Sequence, residues 1–88
     1  MSEEDLIDLR KFLHKINDVD ENTPKKAIKA LACKIMDASD DWQNIDRPLY
    51  DDARYLAEMK YGTRKEIMIL VNRIRKGLQG LIDYAESD

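Results

Sequence analysis

The chain has 88 residues, a net charge of −3 and a composition that is 43% hydrophobic and 38% charged, with only three glycines and two prolines. This balance is typical of one small helical domain and argues against disorder, a β-rich fold and a separate catalytic domain. The acidic charge also disfavours a dedicated nucleic-acid binder. The one cysteine, Cys33, has no partner for an internal disulfide, which fits a reducing compartment.

The first residues carry no sign of export. They read MSEEDL, which is acidic and polar, and no apolar run in the chain approaches the roughly 18 residues of a membrane-spanning helix. We therefore expect a protein that is cytoplasmic when synthesised and has no membrane span.

The first two helices are predicted over residues 3–17 and 24–39. Ser2 ahead of three acidic residues is a capping arrangement, and Thr23 followed by Pro24 starts the second helix. Apolar residues recur at helical spacing at Leu6, Leu9, Phe12, Leu13 and Ile16, and then at Ile28, Leu31, Ile35 and Trp42. Each helix is therefore expected to bury one stripe.

A third helix is predicted over residues 48–61 and a fourth over residues 64–84. Pro48 starts the third helix and Gly62 ends it, and TRKE from Thr63 to Glu66 is a capping box for the fourth. The expected buried positions are Leu49, Tyr50, Ala53, Leu56, Ala57 and Tyr61, followed by Ile67, Leu70, Val71, Ile74, Leu78, Leu81, Ile82 and Ala85. The predicted fold is all-α, a compact four-helix bundle with a long C-terminal helix.

The sequence offers no arrangement of side chains that supports catalysis. His14 is the only histidine, and its helical phase places it away from the apolar stripe. A nucleophile needs a positioned base, and neither Cys33 nor any serine has a visible partner of that kind. We expect a protein that is not an enzyme.

The segment DVDEN resembles the start of a calcium-binding loop, but the residues after it do not fit one. Asp18, Asp20 and Asn22 alternate as calcium ligands do, but Thr23 stands where the loop needs glycine and Lys29 where it needs glutamate. Zinc requires more cysteine and histidine ligands than the chain has. We expect no metal and no cofactor.

Charge is distributed unevenly along the chain. Residues 1–23 hold seven acidic and three basic side chains, whereas residues 64–76 hold five basic and one acidic. This polarity suits head-to-tail contacts between copies or with a charged partner, although a solvated face is the commoner cause. Alternatively, the turn at Gly62 and the basic helix after it loosely resemble a helix-turn-helix, which would make the chain a nucleic-acid binder.

Several side chains are predicted to face away from the core and to form a surface that binds protein partners. These residues are Tyr55, Met59, Ile69, Arg73 and Tyr84. Tyr, Met and Arg are enriched in interfaces because they bring large contact areas. Gly77 and Gly80 share the rear face of the last helix, where they either admit another backbone or only soften the helix.

The order and spacing of the segments DLRKFL, DVDE, KKAIKALACKIMDA and PLYDDARYLAEMKYGTR resemble the small head-to-tail connector, or head-completion, proteins of tailed phages. The residues that match the family pattern are Pro48, Leu49, Ala53, Leu56, Tyr61 and Arg64. The resemblance implies a ring of copies beneath the portal, no enzymatic activity, neighbours from the capsid and tail, and a location in the virion.

A second resemblance belongs to another functional class. Small four-helix immunity proteins that protect bacteriocin producers are similar in length, acidity and cytoplasmic residence. No motif of the chain selects that family over the connectors.

Overall fold

The computed structural model describes residues 3–40 and 47–87. These residues form α1 (Glu3–Asn17), α2 (Lys25–Ser39), α3 (Arg47–Glu58) and α4 (Arg64–Glu86). No strand occurs in the part of the chain that is described. The predicted all-α four-helix bundle is therefore confirmed.

The last helix, α4, is the longest and packs against two of the other helices. It packs against α1 on one flank and α3 on the other, α3 packs in turn against α2, and α1 touches α2 only slightly. With 23 residues, α4 is about 34 Å long at the usual helical rise. The longest dimension of the molecule is 39 Å, so α4 runs along almost its whole length.

The core is formed by the apolar stripes of all four helices and by Val19 from the segment between α1 and α2. Its largest fully buried side chains are Leu9, Ile16, Ile28, Ile35, Leu49, Leu56, Val71, Ile74 and Leu78. Seven of the eight apolar positions predicted for α4 are buried, and Ala85 is half-buried. Helical periodicity alone was sufficient to identify this stripe.

The helix boundaries differ from the prediction at several ends. Helix α2 begins at Lys25, because Pro24 is its N-cap and its carbonyl accepts from Ala27 and Ile28. Helix α3 begins at Arg47 and α4 continues to Glu86. The predicted N-cap at Thr63 is confirmed, since Thr63 Oγ1 accepts from the Glu66 amide at 3.1 Å. The Ser2 cap and the packing of Trp42 lie outside the described residues.

The largest correction concerns Tyr61, which was expected in the core. Helix α3 ends at Glu58, three residues before the predicted end. The Met59 amide then donates to Leu56 O, three residues back instead of the four of an α-helix, at 3.4 Å. Because the chain then leaves the helical path, Tyr61 loses the phase that would place it beside Ala57, four residues earlier. Its side chain is 95% exposed.

None of the helices in the described residues combines the length and the apolar character that crossing a bilayer requires.

Candidate functional site

Two hydrogen bonds hold the turn between α3 and α4, residues 59–63, against the residues at the start of α2. Lys25 Nζ donates to the carbonyl oxygen of Gly62 at 3.1 Å. Arg64 Nη1 donates to the carbonyl oxygen of Thr23 at 2.6 Å. Both bonds span a large sequence separation, so they fix this turn relative to the first half of the chain.

A groove of about 560 Å³ lies beside this turn, and we call it the turn groove. Its lining residues are Lys25, Lys29, Leu56, Met59, Lys60, Tyr61, Gly62, Thr63, Glu66 and Ile67. The apolar lining comes from Leu56 and Ile67, both buried, and from the half-buried Met59. The charged lining consists of three lysines and one glutamate, so the groove is cationic although the whole chain is acidic.

Gly62 allows Met59 to fold onto the turn. A Cβ atom added at Gly62 would collide with Met59 Sδ. The described glycines all have ordinary φ angles, so Gly62 supplies space and not an unusual backbone conformation. Met59 packs against the core cluster from this position, which differs from the expectation that it faces entirely away from the core.

Two exposed tyrosines stand at the same place. Tyr55 is 64% exposed, and together with Met59 and Tyr61 it lines a second concavity of about 380 Å³. Met59, Lys60 and Tyr61 belong to both concavities. The structure therefore brings together Tyr55 and Met59, two of the predicted partner-binding residues, and adds Tyr61 to them.

The other predicted partner-binding residues lie elsewhere. Ile69 is half-exposed and lines a separate concavity with Met68 and residues of the segment between α1 and α2. Arg73 Nη2 lies 3.0 Å from Asp52 Oδ1 and joins α4 to α3. Tyr84 is exposed, but it follows Ile69 by fifteen residues of α4, about 22 Å along the helix. The five residues do not line one concavity.

Several basic side chains of α4 are engaged within the chain. Arg64 and Arg73 make the two contacts described above. Arg75 Nη1 donates to Asn72 Oδ1 at 2.8 Å, and its Nη2 donates to Ile16 O at 3.4 Å, at the end of α1. A stripe that binds phosphates needs free cations on one face. Three of the five basic residues of α4 are therefore engaged within the chain.

Two exposed titratable side chains, Arg54 and His14, lie beside acidic residues of their own segments. Hydrogen bonding from Arg54 to Glu58 raises the pKa of the Arg54 guanidinium. His14 is exposed, with Nε2 3.9 Å from Asp18 Oδ2. Among residues 3–40 and 47–87, no group of three or more His, Cys, Asp or Glu side chains is arranged to hold a metal.

Sequence reasoning missed the lysines of the turn groove. Lys25 and Lys26 stand in the first turn of α2, which has no acidic residue. Cations there oppose the helix dipole and are unfavourable by a few tenths of a kcal/mol to about 1 kcal/mol each. At Lys25 this unfavourable position was a sequence signal of a contact elsewhere, since its ammonium donates to Gly62 O outside α2.

No protein-family model matches the chain, and neither a curated protein nor a solved structure shows significant similarity to it.

Proposed function

We propose that this protein is a non-catalytic interaction module that binds protein partners through the surface around the turn between α3 and α4. The observation that carries the proposal is the pair of exposed tyrosines, Tyr55 and Tyr61, beside a groove with apolar and cationic lining. Tyrosine brings a large, rigid contact area with a polar end, and such residues dominate binding energies when partners cover them.

The surroundings of Tyr55 and Tyr61 favour a role in binding over incidental exposure at the surface. A single exposed aromatic residue needs no explanation. Here Tyr55, Met59 and Tyr61 line one concavity, and the turn beneath them is held by the bonds from Lys25 and Arg64. A preorganised, concave and partly apolar site loses little conformational entropy on binding.

We further propose that the module is a subunit of a phage head-to-tail connector. This part of the proposal is supported by the order and spacing of the segments that resemble that family. The four-helix fold is compatible with it, and the turn groove would then contact a neighbouring subunit or a capsid, portal or tail protein. The direct test is mass spectrometry of purified phage particles, in which the protein would occur in several copies per particle.

The binding surface is tested by substitution. Tyr55→Ala combined with Tyr61→Ala should abolish co-purification with the portal protein of the phage that carries this gene. Tyr84→Ala is the control, because Tyr84 is as exposed as Tyr55 but lies near the other end of α4. Equal losses with both variants would contradict a site at the turn.

Genomic context and a salt titration separate the competing functions. Portal and capsid genes beside this gene would support the connector, whereas a bacteriocin precursor gene would indicate an immunity protein. Retention on DNA that falls steeply with salt would favour nucleic-acid binding instead.

A further inference from the structure

The turn groove carries an excess of positive charge that the described part of the chain does not neutralise. Lys25, Lys29 and Lys60 line it together with one acidic residue, Glu66. Within the described residues, the side chains of Lys29, Lys60 and Glu66 make no ion pair. The chain as a whole has a net charge of −3, so this groove is a local exception that attracts negatively charged partners.

One of the three ammonium groups is held in place. Lys25 Nζ donates to Gly62 O at 3.1 Å, which ties it to the turn between α3 and α4. An ammonium group has several N–H donors, so this bond leaves others available to a ligand in the groove. A cation that is already positioned loses less conformational entropy on binding than a free lysine side chain does.

The walls of the groove strengthen the field of the lysines. Leu56 and Ile67 are almost fully buried, so they give a partner little apolar contact and act instead as a low-dielectric wall that concentrates the field. Helix α2 begins at Lys25, and Thr63 is the N-cap of α4. Both residues line the groove, so the positive ends of the two helix dipoles add to the potential of the lysines.

The single carboxylate in the groove has a role within its own helix. Glu66 stands in the first turn of α4, where the helix dipole favours an acidic side chain. Its presence suits a short acidic segment better than a nucleic acid. A phosphate backbone carries a charge at every nucleotide and binds along rows of free cations, whereas separate carboxylates can pair with individual lysines.

We propose that the turn groove recognises an acidic segment of a partner protein, in which neighbouring Asp or Glu side chains lie close together. Their carboxylates pair with Lys29 and Lys60 and accept hydrogen bonds from Lys25, while the exposed Tyr61 packs against the rest of the segment. The inference rests on the proposed function, because it gives the chemistry of the partner that this surface binds. The groove volume of about 560 Å³ lies within the usual range of ligand sites, about 300–1,000 Å³.

A short poly-glutamate peptide with blocked termini is the probe. It is titrated into isotope-labelled protein and followed by NMR. The amide resonances of residues 25–29 and 59–66 should shift, and a poly-lysine peptide of the same length should leave them unchanged. A few exposed charge pairs bind weakly, so we expect a Kd in the upper micromolar to millimolar range, at about 1 mM. The Kd should rise with salt concentration.

Neutralising two groove lysines tests the contact. Lys29→Gln combined with Lys60→Gln should raise the Kd about 5-fold, because each exposed pair contributes modestly. Lys34→Gln combined with Lys76→Gln is the matched control, since both residues are exposed and the net charge changes equally, but neither lines the groove. Screening limits the effect of charges outside the site, so the control should raise the Kd less than about 2-fold. Circular dichroism establishes that each variant is folded.

Three results would overturn the inference. The first is a groove variant that binds the peptide no more weakly than the control variant does. The second is tighter binding of a short single-stranded DNA of equal charge at the same residues, because the groove would then serve a nucleic acid. The third is a shift of the groove resonances when the protein alone is diluted, because a second copy would then occupy the groove.

The same substitutions separate this inference from the proposed function. If Tyr55→Ala combined with Tyr61→Ala abolishes portal binding but Lys29→Gln combined with Lys60→Gln does not weaken it, the binding surface stands and its preference for an acidic partner fails. If the tyrosine substitutions leave portal binding intact while the peptide binds in the groove, recognition of acidic segments stands and the proposed portal contact fails.

Discussion

The guanidinium of Arg64, the first residue of α4, donates a 2.6 Å hydrogen bond to the carbonyl oxygen of Thr23, just before α2. The Thr23 carbonyl precedes a proline, and the bond links parts of the chain that are 41 residues apart. It therefore holds the segment between α1 and α2 against the start of α4.

Replacing Arg64 should reduce stability. Arg64→Ala removes a partly buried, charge-assisted hydrogen bond, and we expect the free energy of unfolding to fall by about 1–2 kcal/mol. Lys65→Ala is the control, because Lys65 is exposed and makes no such contact. Urea denaturation followed by circular dichroism measures both. Equal effects of the two substitutions would mean that the bond to Thr23 contributes nothing.

The two glycines of α4 should respond differently to alanine. Gly80 has nothing within 4 Å of an added Cβ, so Gly80→Ala should stabilise the protein by about 1 kcal/mol through helix propensity alone. At Gly77 the added Cβ would lie 3.1 Å from Leu49 Cδ1, and the crowding should cancel most of that gain. Thermal unfolding of both variants checks this difference. Equal stabilisation would show that α3 does not approach Gly77 closely.

The exposure of Tyr61 predicts that its side chain contributes little to stability. Tyr61→Ala should change the free energy of unfolding by less than about 0.5 kcal/mol, as for other exposed positions. Leu56→Ala, at a fully buried neighbour in α3, should cost about 2–5 kcal/mol through lost burial and a new cavity. Chemical denaturation distinguishes the two. A large loss at Tyr61 would restore the sequence-based expectation that it belongs to the core.

Periodicity and capping signals were sufficient to predict the fold. The buried stripe that includes Ile67, Ile74 and Leu78 can be predicted because the apolar residues on the buried side of a helix recur at helical spacing. The cap at Thr63 is likewise a pattern of neighbouring residues. The end of α3 was harder to predict. Gly62 marked a turn, but nothing local showed that the chain leaves the helix at Glu58.

The site was less predictable because it is assembled from distant segments. Lys25 and Lys29 reach the turn groove from α2, and Glu66 reaches it from α4. Helical phase shows which way a side chain points from its own axis, but not which helix lies opposite. The same limit applies to Arg73, whose partner Asp52 lies on α3.

Arg73 should contribute to stability through that ion pair. It bridges two helices, and the Asp52 side chain is only 15% exposed, so Arg73→Ala should destabilise the protein by up to about 1 kcal/mol after solvent screening. Arg54→Ala is the control, because the pair between Arg54 and Glu58 lies within one exposed helix face and should have a smaller effect. Unfolding at low and high salt measures both, and the effect of Arg73→Ala should shrink as salt rises. If Arg73→Ala leaves stability unchanged but weakens partner binding, Arg73 acts in the interface as the sequence predicted, and its pairing with Asp52 is incidental.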